Sequence, residues 1–417
     1  MLRRRSAIFA LVIAFALLAA ACGDSEETTT TTTEPPATTT TQGETTTTTE
    51  APTTSTAPTT TTTTTTLPPP PPGKEVLACQ VSDTGGIDDR SFNETAWRGA
   101  QLAEEQLEGV TAQFLESQAA SDYRPNIDSF ISQGCDVVIT VGFLLANDTA
   151  DAAVDNPDQL FAIIDQSPRV APDTVAPFEP WSDASGSPRA DFRNLRGITF
   201  QTDEAAFLAG YLAAGMSESG IVGTFGGINI PPVTIFMNGF YWGVQHYNTV
   251  KGTDVTVLGW DPAAPESGLF TNDFESLENG RAFAQNLVDE GADIILPVAG
   301  PVGLGSAALC QETGACLMIG VDADQFLSAP DFAAVWLTSI KKNMDVAVFN
   351  TINNVLVLDS VGNDFIGTLA NGGVGLAPYH DFESAVPAEL VAEVEQLQAD
   401  IIAGTQGVSG PPAEVSG

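Results

Sequence analysis

Val76-Leu77-Ala78-Cys79-Gln80-Val81-Ser82-Asp83-Thr84-Gly85-Gly86-Ile87-Asp88-Asp89-Arg90-Ser91-Phe92-Asn93 carries three structural signals in succession. Val76 to Ser82 is a short, mostly apolar run of strand type. Gly85-Gly86 permits a tight turn and a close approach of backbone to a ligand. From Phe92 to residue 108 the spacing becomes helical, with Trp97, Ala100 and Ala103 on the expected inner face. Strand-like runs recur at residues 137–141, 160–164, 197–200, 221–225, 255–258, 294–298 and 317–321. Helical stretches lie between most of them, as at 204–216, 233–247, 277–290 and 344–358. This alternation predicts an α/β protein with parallel sheets flanked by helices. About nine strands over about 330 residues suit two doubly wound lobes, with a hinge and a central cleft, better than one sheet.

In doubly wound sheets the ligand lies beyond the carboxyl ends of the strands, so the residues after each run are the informative ones. Asp83-Thr84-Gly85-Gly86 follows the first, Asp165 follows Ile164, and Gly226-Gly227 follows Phe225. Ala299-Gly300-Pro301 follows Val298, and Asp322-Ala323-Asp324 follows Val321. Carboxylates, glycines and aromatics at strand exits form a binding-site pattern.

Composition narrows the ligand. The chain has 417 residues, 53 acidic and 15 basic, for a formal net charge of −38. Nucleic acid is excluded as a partner, because its binding needs Lys and Arg to displace counterions. Phosphorylated ligands are disfavoured for want of cationic clusters; a neutral small molecule meets no such objection. Two histidines, His246 and His380, make a His-rich metal site or a Ser-His-Asp triad a poor fit. The chain contains no C-x-x-C zinc signature and no G-x-S-x-G nucleophile elbow. Gly300-Pro301-Val302-Gly303-Leu304-Gly305 has the wrong spacing for a dinucleotide fingerprint. No cofactor, metal or catalytic residue is expected, and the chain reads as a binding protein, not an enzyme. Asp88 and Asp89 resemble a catalytic carboxylate pair but are read as a helix-entry cluster.

Residues 1–22 read as a signal peptide: Arg3, Arg4 and Arg5 precede an apolar run, residues 7–21, too short to span a bilayer. Leu18-Ala19-Ala20-Ala21-Cys22 resembles a bacterial lipobox, with Leu18 one position further from the cysteine than usual. Cys22 is therefore the expected acylated (palmitate-type) N-terminus of a lipoprotein, anchored outside the cytoplasm on the bacterial cell membrane; ordinary cleavage and free secretion is the alternative. Residues 23–73 are dominated by Thr and Pro, with no Lys or Arg, and predict a disordered tether. As a flexible chain such a tether reaches about 40 Å. The solute-binding domain follows over 74–404, and 405–417 is a flexible tail. Four further cysteines in an exported chain suit two disulfides, Cys310 with Cys316 across a turn-like loop and Cys79 with Cys135. Four buried free thiols are the alternative.

The motif Asp83-x-Gly85-Gly86-Ile87-Asp88-Asp89-x-Ser91-Phe92-Asn93 does not stand alone. Gly142-Phe143-Leu144, Phe161-Ala162-Ile163-Ile164-Asp165 and Ala206-Phe207-Leu208-Ala209-Gly210-Tyr211 follow it in order. Val233-x-x-Phe236, Gly320-Val321-Asp322-x-Asp324-Gln325, Thr338-Ser339 with Lys342-x-x-Asp345, and Gly372-Gly373-Val374-Gly375-Leu376 complete the series. Together these resemble the basic membrane protein (BMP) family of ABC-transporter substrate-binding lipoproteins, whose members include purine nucleoside receptors. The resemblance covers nearly all of 76–404. It implies a type I periplasmic binding protein-like fold and a monomer that binds a nucleoside, a purine nucleoside first, and delivers it to an ABC permease. It further implies that Phe92 and Phe236 stack on the base, Asp83 and Asn93 bond its edge, Asp165 stands nearby, and Gly300, Asp322 and Lys342 hold the ribose. A one-residue shift would put Lys341 in place of Lys342. The lobes are expected to be about 76–197 with 323–355, and about 198–322 with 356–404. Other readings of the same fold are a sugar or signalling-molecule binder, or a receptor or adhesion lipoprotein without a transport role. Two segments depart from the family: 167–196, Pro-rich and containing Trp181, and 261–279.

Overall fold

Where β-branched and other apolar residues run without interruption, the chain forms strands buried on both faces, as parallel sheets require. The computed structural model describes residues 68–167 and 192–410. The leader with Cys22, the Thr/Pro tract as far as residue 67, residues 168–191 with Trp181, and the last seven residues lie outside this description.

The first lobe opens with β1 (Val76–Ser82), α1 (Phe92–Gln106), β2 (Val110–Leu115), α2 (Tyr123–Gln133), β3 (Val137–Val141), α3 (Ala146–Asp155), β4 (Leu160–Ile164) and β5 (Leu195–Phe200). The chain crosses at Gln201 into the second lobe. There it forms α4 (Thr202–Met216), β6 (Ile221–Gly226), α5 (Pro231–Lys251), β7 (Thr256–Leu258), α6 (Leu277–Asp289), β8 (Ile294–Val298), α7 (Val302–Thr313), β9 (Leu317–Asp322), the short α8 (Gln325–Ser328) and β10 (Trp336–Lys342). It returns at Asn343 to α9 (Met344–Leu358) and β11 (Phe365–Gly367). It crosses a third time through residues 368–373 to β12 (Val374–Leu376) and α10 (Ala388–Ile402).

The two sheets repeat one topology. The first has the order β11-β5-β4-β3-β1-β2 and the second β12-β10-β9-β8-β6-β7. Every pairing is parallel except β10 with β12. Strand order reverses between β1 and β3 in one lobe and between β6 and β8 in the other, which makes those gaps the topological switch points.

The lobe boundaries differ from the sequence expectation. β10 pairs with β9 in the second sheet, so residues 323–342 belong to the second lobe. β11 pairs with β5, which returns 365–367 to the first. Strands β2, β10, β11 and β12 were not anticipated either. β2 is an edge strand with a half-exposed, alternating pattern, β11 and β12 are three residues each, and β10 buries Thr338, Ser339 and Lys342.

Both cysteine pairs are joined, Cys79 to Cys135 and Cys310 to Cys316. The first ties β1 to the entry of β3 across 56 residues, a loop closure that contributes about 4 kcal/mol in the chain-entropy account. The two crossings nearest the hinge are bonded to the third: the Gln201 N–H donates to the Gly367 carbonyl, and the Asn343 N–H to that of Gly373, at 2.8 and 2.9 Å.

Helix α4 is buried on nearly every side and packs lengthwise on α5. Ala and Gly line that contact because larger residues would hold the backbones apart. A Cβ on Gly243 would overlap the Phe207 carbonyl oxygen, and one on Gly210 that of Phe240. Gly243→Ala should therefore lower stability by about 1–3 kcal/mol through forced helix separation. Urea denaturation measures this, and an unchanged midpoint would show that the helices can part without cost.

Candidate functional site

The carboxyl ends of the two sheets face one another across a cavity, the place where doubly wound sheets bind a ligand. Asp83, Phe92, Asn93 and Asp165 line it from the first lobe. Phe236, Gly300, Asp322 and Lys342 line it from the second. All eight residues singled out in the sequence thus border one space.

On the first lobe, β1 delivers Asp83 as the residue immediately beyond its end. The carboxylate is buried and accepts a hydrogen bond from Asn93 Nδ2 at 3.1 Å. Gly142, just past β3, makes this possible: a side chain there would occupy the position of Asp83 Oδ2, and its φ of 117° suits glycine. Asn93 Oδ1 is buried with no partner, leaving an acceptor for a ligand. Asp89 has a different task. Its two oxygens accept the backbone N–H groups of Ser91, Asn93 and Glu94 at 2.8–3.0 Å, which satisfies the free amides at the start of α1. Asp88 is exposed.

Asp165, just beyond β4, and Asp322, the last residue of β9, have φ of 69° and 66°. Such left-handed backbone is tolerated best by Asn and Asp among residues with a side chain; here it marks a constrained site. Lys342, the last residue of β10, is 2 % exposed. Its ammonium reaches across to Asp165 at 2.5 Å. It also lies 4.7 Å from the centre of the Phe92 ring, 5.4 Å from Phe200 and 6.0 Å from Phe236. Strand alternation turns Lys341 to the opposite face, where it borders a separate side cavity with Arg90 and Arg98. Ser91 Oγ donates to Asp322 Oδ2 at 2.9 Å, a second link between the lobes. Arg90 adds a third and fourth: its guanidinium pairs with Asp331 at 3.2 Å, and its carbonyl accepts from Ser328 Oγ at 2.7 Å.

Burial dominates the electrostatics. It pushes Asp83 well above the ordinary carboxylate range; the Asn93 bond opposes this, and Asp89 and Asp165 add to it. Burial likewise raises Asp165, against the pull of Lys342. It brings Asp322 to about 6 and Asp89 to about 7. Among the described residues no group of His, Cys, Asp and Glu is placed to hold a metal ion. The arrangement offers acceptors and one cation around an aromatic slot, which equips it to bind.

Phe274, Phe143 and Thr84 also line the cavity, and Ser91 and Phe200 contact its polar groups. Ser91 and Phe143 stood in the quoted motifs without an assigned role. Phe274 lies in the irregular 261–279 stretch, where no periodicity or motif signals it.

Two outcomes follow. Lys342→Met should cost about 3–5 kcal/mol, because it leaves the Asp165 charge buried and unpaired, and adding Asp165→Asn should recover most of the loss. Equal instability of single and double variants in urea would contradict this. Second, Asp89 and Asp322 hold protons in the folded chain that the unfolded chain, titrating near 3.9, has already released. Stability without ligand must then fall as pH rises from about 4 to 7. The melting temperature should drop between pH 5 and pH 8, and Asp322→Asn should shrink the drop; a rise over that range would contradict the sign.

Comparison with known proteins places this architecture. The family model described as ABC transporter substrate-binding protein, PnrA-like, matches residues 76–409. Basic membrane protein A of Borreliella burgdorferi is 28% identical over 333 residues, covering 79% of this chain and 87% of that protein. An uncharacterized lipoprotein of Pyrococcus furiosus is 30% identical over 312 residues, covering 73% and 70%. Among solved structures, an ABC transporter solute-binding protein from Aeropyrum pernix is similar with a TM-score of 0.68 at 25% identity, covering 80% of this chain and 92% of that one. A solute-binding protein from Conexibacter woesei, at 20% identity and a TM-score of 0.59, shares the fold. The chain belongs to the PnrA-like, or basic membrane protein, family of ABC transporter substrate-binding proteins.

Proposed function

We propose that this protein is the extracytoplasmic, lipid-anchored receptor of an ABC importer and that its cavity takes a nucleoside, a purine nucleoside first. One observation carries the ligand reading. The Lys342 ammonium lies over both the Phe92 ring of the first lobe and the Phe236 ring of the second. Two rings from opposite lobes therefore border one slot, which closes on a flat heterocycle.

A purine fills that slot with both faces, each aromatic contact adding about 0.5–1.5 kcal/mol beyond the area buried. Asp83 and the free Asn93 Oδ1 accept from N–H groups on the base edge. Asp322, Gly300 and Lys342 address the vicinal ribose hydroxyls, and hydrogen bonds to such charged groups contribute about 1.5–3 kcal/mol. Lys342 is already paired with Asp165, which leaves no spare positive charge in the cavity lining, so a phosphate on the sugar is disfavoured. Cys22 supplies the anchor, the Thr/Pro tract the reach, and an ABC permease receives the ligand. The protein acts as a monomer and returns its ligand unchanged.

The test is a thermal-shift panel of nucleosides, free bases, sugars and nucleotides, with mass measurement of any ligand carried through purification. Purine nucleosides should stabilise the protein, by about 2.7 kcal/mol at a hundredfold excess over Kd. Phe92→Ala should weaken binding at nearly unchanged melting, and Asp322→Ala should penalise nucleoside more than free base. Stabilisation by sugars alone, or by nothing in the panel, would overturn the assignment.

A further inference from the structure

Gly226-Gly227 follows β6 at a strand exit, where glycines form part of a binding-site pattern. The structure gives them another occupant. A Cβ on Gly226 would stand 2.7 Å from the Phe270 ring, and one on Gly227 would overlap the ring of Phe274. The segment 268–276 lies along the end of β6. The Gly226 N–H donates to the Leu269 carbonyl at 2.9 Å, the Thr271 N–H to that of Gly226 at 3.0 Å, and the Asn272 N–H to that of Gly227 at 2.8 Å. The Asp273 carboxylate then accepts from the N–H groups of Glu275 and Ser276 at 2.9 and 2.7 Å and from Asn279 Nδ2 at 2.6 Å. Phe274 therefore rides on a stitched wall, with its ring held between Gly227 and the cavity.

The wall stands at one end of the cavity. A Cβ on Gly85, in the first-lobe turn, would lie 3.7 Å from Asn93 Nδ2 and 3.8 Å from the Phe274 carbonyl oxygen. The Phe274 backbone thus comes from the second lobe to the first-lobe turn beside Asn93, whose amide is bonded to Asp83, and the residue lines the same cavity. Its ring is half-buried and has no polar atom, so it can exclude volume there but cannot pair with a ligand edge.

We infer that Phe274 is a specificity-determining residue that limits the size of the ligand group facing Asp83 and Asn93. The inference rests on the nucleoside reading, in which that group is the base edge. A rigid aromatic wall there admits a purine with small exocyclic groups and rejects one bearing a bulky substituent. Rejection follows because packed walls yield little and overfilling them is destabilising.

The experiment compares adenosine with N6-benzyladenosine by titration calorimetry on the wild-type protein, Phe274→Ala and Phe274→Trp. Wild type should prefer adenosine. Phe274→Ala should improve the ratio for the benzyl compound at least tenfold, and Phe274→Trp should worsen it. An unchanged ratio in both variants, with adenosine still bound, overturns the role of Phe274 alone. Failure of wild type to bind either compound or any other nucleoside overturns the nucleoside reading and this inference with it. Should Phe274→Ala not fold, Phe274→Leu and Phe274→Trp decide the question by the same ratio.

Discussion

The Lys342 ammonium starts on the last residue of β10 in the second lobe and ends on the Asp165 carboxylate of the first, both almost wholly removed from water. A buried charge without a partner costs several kcal/mol, so each lobe holds a group that is satisfied only when the other is near. Ser91 with Asp322 repeats the relation in the interior, and Arg90 with Asp331 and Ser328 repeats it nearer the surface. Closure is thus written into the polar groups at the strand ends, and the aromatic rings around Lys342 define what can share the space with it.

The same groups explain why a strongly acidic chain can gather carboxylates in one cavity. Asp89 is consumed by the amides of α1. Asp165 is consumed by Lys342. Asp83 and Asp322 each keep one internal donor, Asn93 and Ser91, and retain acceptor capacity. A site of this kind selects for donors on its ligand, because an acceptor placed there would face other acceptors across a dry gap.

The parallel strands were legible because burial on both faces favours near-continuous apolar runs, and β4 and β8 supply them without a break. β10 was not, since Thr338, Ser339 and Lys342 are polar residues whose burial depends on partners far along the chain. Site residues at strand exits were legible through topology: Asp83, Asp165 and Asp322 needed only the rule that ligands bind beyond strand ends. Phe92 and Phe236 needed the family motifs, because a phenylalanine near the start of a helix reads equally well as core. Lys341 and Lys342 could be separated only by strand parity, which is visible once β10 has a defined end. Phe274 gave no signal, because its position is fixed by backbone pairing between an irregular segment and two glycines.

The three crossings between lobes bear on how the chain can be made. The first sheet is complete only when β11 has joined β5, and β11 emerges from the ribosome after almost all of the second lobe. Neither lobe is a contiguous stretch, so no single cut yields a whole one. A chain delivered from its N-terminus must therefore hold β1 to β5 unfinished until residue 367 has followed. The Cys79–Cys135 link, which draws only on residues delivered early, can set the order of β1 and β3 while the rest is still arriving.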